Sequence, residues 1–285
     1  MTVTISTEDK KWRKRLKKEG GVYYLSPLKD SLYECIKDEV VIELDAPLIW
    51  PRLIRIQGDL SSTRLLTARG LYVEGAISMP QAALESMTDI EADRGINAKG
   101  IACLGMLRLT GWGNSEISTM VQAGKIHTDH SGSFKATTIS VGYGGIDASS
   151  MDVQANMLSV SGDATFRKLE TVTQISVLGD LTAKEIQASL AVGGTNGLTV
   201  GGGINCSGTL TVGQGDLVVG THGHPKTKEG EDTPPVVKCG ALSVPNGRIV
   251  ALGHSEEGGV IESSSVKGKF DITLGQLRVL EKQNA

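Results

Sequence analysis

The chain has 285 residues, 36 of them glycine and only 4% aromatic, with a formal net charge of −3. So few rings and so much glycine exclude the usual globular core of this size and favour thin layers of Val, Ile, Leu and Ala. The small negative charge excludes general affinity for nucleic acid, which needs concentrated Lys and Arg.

The first element is a basic segment, residues 1–21. Ser6 and Asp9 read as a helix start, after which Lys10, Lys11, Trp12, Arg13, Lys14, Arg15, Lys17 and Lys18 set seven cations around Trp12. Trp12 and Leu16 are four residues apart, so they share one helical face. Gly20-Gly21 ends the segment. As a helix, these eight residues are the candidate contact to an anionic membrane surface or an acidic partner, each cation contributing about 1 kcal/mol at a charged surface. The plainer alternative is a solvated polar helix covering one end of the fold.

Residues 22–51 hold the densest bulky side chains, including Tyr23, Tyr24, Leu25 and Tyr33, then the strand-like run Val40 to Leu44. They read as an N-terminal cap. Pro47 and Pro51 mark the expected hand-over, because Pro cannot donate to a central ladder.

From residue 52 a short phrase recurs: aliphatic, any, Val or Ile, any, Gly. It appears as IRIQGDL at 54–60, LYVEGAI at 71–77, LSVSGDA at 158–164, ISVLGDL at 175–181, LTVGGGI at 198–204 and LTVGQGDL at 210–217. Alternation puts the first and third residues on one side of a strand, and Gly allows the corner that follows. A strand this short cannot bury its face alone, so copies must stack. The expectation is an all-β chain, a single-stranded parallel β-helix over residues 52–280 with about 17 residues per coil, closed by a polar tail at 281–285.

Several stretches interrupt the rhythm. Residues 79–87, MPQAALESM, have helix-forming composition and read as a loop or short helix leaving the coil. Trp112, in TGWGN, reads as a corner packing residue. His127, Asp129 and His130 lie close together, but without a third supporting ligand set they read as a solvated corner. Asp59, Asp163, Asp180 and Asp216 follow Gly at corners and read as turn residues. The four cysteines, Cys35, Cys103, Cys206 and Cys239, share no metal or disulfide spacing and read as reduced thiols.

The loop at 221–235, THGHPKTKEGEDTPP, breaks the coil most sharply. His222 and His224, two apart in an extended segment, point to one side; three chains meeting on an axis would offer six imidazoles to one transition metal. This stretch resembles the His-x-His motif of trimeric phage tail spikes. The wider rhythm in IQGDL, LYVEGAI, VLGDL and LTVGGGI resembles the bactofilins, bacterial cytoskeletal proteins. That resemblance implies a right-handed parallel β-helix that polymerises end to end without nucleotide, often at a membrane.

Enzyme signatures are missing: no Gly-x-Ser-x-Gly elbow, no phosphate loop, no His-Glu-x-x-His and no dinucleotide fingerprint. The sequence therefore predicts a non-enzymatic structural or assembly protein that needs no cofactor and no small-molecule substrate. Its expected partners are copies of itself, or a membrane surface or another structural protein reached through the basic segment. A trimeric phage or injection-machine spike is the second reading, and a carbohydrate-binding or carbohydrate-cleaving β-helix the third. With no apolar leader and no apolar run of about 18 residues, the expected location is the cytoplasm, with membrane association through the basic segment alone.

Overall fold

Stacked strands bury alternate side chains in continuous rows, and those rows define the architecture. The computed structural model describes residues 2–26, 33–129, 131–179, 181–188, 198–200, 204–212, 216–219, 236–251, 260–270 and 278–281. It is nearly all β, a parallel β-solenoid with about 19 residues per turn. The expected fold class holds, and the coil is longer than the 17 residues expected. The repeated phrase spans only the best-preserved coils, whereas the registers step by 17 from Leu84 to Ile101, 20 from Ile101 to Val121, and 23 from Ile175 to Leu198.

The contacts divide the chain into two compact units, Met1–Ser140 and Val141–Ala285. In the first, Leu48, Leu66, Leu84, Ile101 and Val121 stack in one inward row, and Ile54, Leu71, Ile90, Leu107 and Ile126 in a second. A third row joins Val40, Leu60, Ile77 and Ile96. All of these side chains are buried, and each stabilises the stack by roughly 1.5–3 kcal/mol. Three rows mean three strand faces per turn. The second unit repeats the scheme, with Leu158, Ile175, Leu198, Leu217 and Ile249 in one row.

The ladder begins well before residue 52. Strand β1 (Thr2–Ser6) pairs in parallel with a later strand at Glu39–Glu43. Strand β2 (Leu16–Glu19) forms an antiparallel hairpin with β3 (Val22–Leu25), and β3 pairs in parallel with the strand Leu48–Ile56. Residues expected to form a separate cap at 22–51 thus include strands of the first coils: β3, β4 (Tyr33–Ile36), β5 (Glu39–Glu43) and the start of β6 (Leu48–Ile56). Pro51 lies inside β6 with its ring exposed, where the register shifts between two faces and no ladder donor is required.

Residues 79–87 are also corrected. Ile77–Ser86 is a strand, and Ala82, Leu84 and Ser86 alternate inward.

Candidate functional site

The basic segment folds against the end of the first coils. The Asp9 carboxylate accepts from the amides of Lys11 (2.7 Å) and Trp12 (3.3 Å), starting a single-turn helix α1 (Lys10–Arg13). Gly20 and Gly21, with φ of +57° and +81°, make a tight turn that few other residues adopt. That turn draws Leu16–Glu19 into β2, so the helix expected to run to Lys18 ends at Arg13.

This folding reverses the role of two predicted contact residues. Trp12 turns inward, 3% exposed, and meets Trp50 edge to face with ring centroids 6.2 Å apart. Arg15 lies over the Trp12 ring at 4.9 Å and grips Glu34 with both terminal nitrogens, at 2.7 and 3.0 Å. Glu34 also accepts from the Trp50 indole N–H at 2.8 Å. Trp12 and Arg15 therefore close the core rather than meet a partner. Lys17 pairs with Glu19, and Lys18 with Asp45 at 2.7 Å; the hydrogen bond that Lys18 donates to the Asp45 carboxylate raises the Lys18 pKa. Lys10, Lys11, Arg13 and Lys14 are exposed and form no ion pair among the described residues.

Further along the first unit, one outward row reads Arg55, Tyr72, Glu91, Arg108 and His127. Arg55 lies over the Tyr72 ring at 4.8 Å and binds Glu74 at 2.5 Å. Arg108 bonds to Asp129 at 2.9 Å and lies 3.9 Å from Glu91. Burial raises the Glu91 pKa, with Arg108 opposing it. His127 contacts Asp129 at 2.5 Å, so that carboxylate is held between a guanidinium and an imidazole. No group of three His, Cys, Asp or Glu gathers into a metal site among the described residues. His222 and His224 lie outside the described residues, as do His130 and Asp180.

The corner aspartates serve the stack. Asp59 accepts from the Ala76 amide on the next coil at 2.8 Å, Asp89 from Met106 at 2.6 Å, and Asp216 from Arg248 at 2.8 Å. Each of these three carboxylates holds a backbone amide of another strand segment. The residue before each receiving amide is glycine, Gly75, Gly105 and Gly247, and a Cβ on Gly75 or Gly105 would sit 2.1 Å from the Asp59 or Asp89 oxygen. Reasoning from the sequence assigned Asp59 and Asp216 to turns, did not single out Asp89, and missed the glycines opposite. The recoverable signal is a spacing of 16 from Asp to Gly, seen again from Asp163 to Gly179.

Apolar side chains reach solvent at another corner, where Met87 and Leu104 are 63% and 79% exposed. They border a cavity of about 280 Å³ with Thr67, Glu85, Ala102 and Gln122. Cys103 beneath them is buried, which pushes its thiol up to about 12 and leaves it unreactive. Trp112, expected to pack, is 75% exposed. A second cavity of about 570 Å³ is lined by Val41, Leu44, Ser61, Thr63 and Pro80, with Glu43 its one carboxylate.

No protein-family model matches the chain, and neither a curated protein nor a solved structure matches it. No helix among the described residues is long and apolar enough to cross a membrane.

Proposed function

We propose that this chain is a non-enzymatic assembly protein, a β-solenoid that associates with copies of itself along its flank. The observation that carries this reading is the exposed pair Met87 and Leu104, which neighbour one another on successive coils of a regular ladder. Large apolar groups grouped at one corner lose contact with water when a second surface covers them. The commitment of Asp59, Asp89 and Asp216 to backbone amides supports a structural role over a catalytic one. End-to-end polymerisation of the bactofilin kind is less well supported, because Trp12 covers the apolar interior of the first coils, against which another copy would stack its own.

The test is light scattering with negative-stain imaging across concentration, on the native chain and on Met87→Lys/Leu104→Lys. The expected result is association that rises with concentration and is lost in the double variant. A monomer at every concentration refutes the reading. Open fibres that persist in the variant also refute flank association and restore the end-to-end one.

A further inference from the structure

We propose that the N-terminal end is a docking edge for an extended, acidic segment of a partner protein, which adds as a strand to β1. The surface lies at the end of the first unit, so the inference stands apart from flank association.

Strand β1 pairs with β5, from Thr2 beside Glu39 to Ser6 beside Glu43, and with no other strand among the described residues. Among the described residues its second edge makes no ladder bond, and free N–H and C=O groups on a strand edge attract another strand unless they are blunted. The two strands at this end differ in that respect. Strand β2, LKKE, carries two lysines and a glutamate. Strand β1, TVTIS, has no charge, proline or glycine. Helix α1 touches both strands. Its four residues span only about 6 Å along the axis, against about 17 Å for the five residues of β1, so it leaves most of that edge uncovered.

Charge selects the occupant. Residues 8–19 hold seven basic and three acidic side chains in a chain that is net negative. Lys10, Lys11, Arg13 and Lys14 are exposed on or next to α1, which touches β1, the Lys11 ammonium lying over the Trp12 ring at 4.9 Å. An extended segment with regularly placed carboxylates meets both features: main-chain pairing supplies affinity, and opposite charge steers the encounter. An anionic bilayer fits less well. Surface-bound helices insert apolar side chains, and the one aromatic group of this helix, Trp12, is buried against Trp50. The same burial removes the stacking platform that a single-stranded nucleic acid would use.

The test uses the full chain and a short fluorescein-labelled peptide of alternating glutamate and valine, followed by fluorescence anisotropy. A second probe has the same sequence N-methylated at alternate residues, which keeps its charge and removes strand pairing. Binding of the first peptide is expected, weaker by about tenfold or more for the methylated probe. Comparable weakening is expected for Lys10→Glu/Arg13→Glu/Lys14→Glu, with folding verified by circular dichroism. Equal binding of both probes would reduce the site to simple charge attraction and overturn the proposal. So would stronger binding to phosphatidylserine vesicles or to a short DNA duplex, or no peptide binding at all.

Discussion

Asp89 carries its carboxylate under the amide of Met106, and Gly105 just before that amide leaves room for it. The two residues make one joint between coils, and each fails without the other. Gly105→Ala would place a Cβ 2.1 Å from the carboxylate oxygen; relieving such a clash typically costs about 1–3 kcal/mol. Asp89→Ala leaves an exposed amide without its protein acceptor, a loss of about 0.5–1.5 kcal/mol. Because the two defects meet at one oxygen, urea unfolding of the double variant should show a loss smaller than the sum of the singles. Full additivity would contradict the joint. The corner role of Asp59 and Asp216 was legible in the sequence, since Asp after Gly is ordinary turn chemistry, whereas Asp89 follows Thr88 and gave no such signal. The glycine was not legible, because its reason for being there is an atom one coil away.

The element that deviates most from a periodic reading is the N-terminal lid formed by α1 and the β2–β3 hairpin. A run of cations around Trp12 and Leu16 satisfies helical spacing, yet the paired glycines fold the second half back as a strand. Tertiary burial then claims the tryptophan. Similarly, residues 79–87 have helical composition, but stacking on neighbouring coils imposes a period of two and overrides propensity. Trp12→Ala should destabilise the first unit by about 3–5 kcal/mol, read as a lower thermal midpoint by circular dichroism. If the lid also prevents end-to-end contact, light scattering of this variant should show aggregation at concentrations where the native chain shows none. A variant with unchanged midpoint and unchanged scattering would show that the lid is not a seal.

For the whole molecule, the solenoid was legible because inward rows of Leu, Ile and Val repeat wherever the strands do; the average turn was underestimated because it includes variable corners. Acid should expose the polar side of the same economy. The hydrogen bond from Arg167 holds the Asp152 carboxyl below its ordinary value of 3.8, and Lys18 does the same for Asp45. A lowered carboxyl pKa contributes stability that is present above the unfolded value and is lost as pH falls through the folded one. The thermal midpoint should therefore drop as pH falls below 3.8, and Asp152→Asn should flatten that drop; an unaltered acid profile in the variant would rule out this pair as a contributor. The corner joint also has a corollary. Asp59 reaches its amide across 17 residues of chain, and Asp216 reaches the corresponding amide of Arg248 across 32. The mooring point is the same although the rope between is nearly twice as long, so a coil registers with its neighbour by its fastenings and not by its length. A fold fastened in this way keeps its register when the chain between two corners is long.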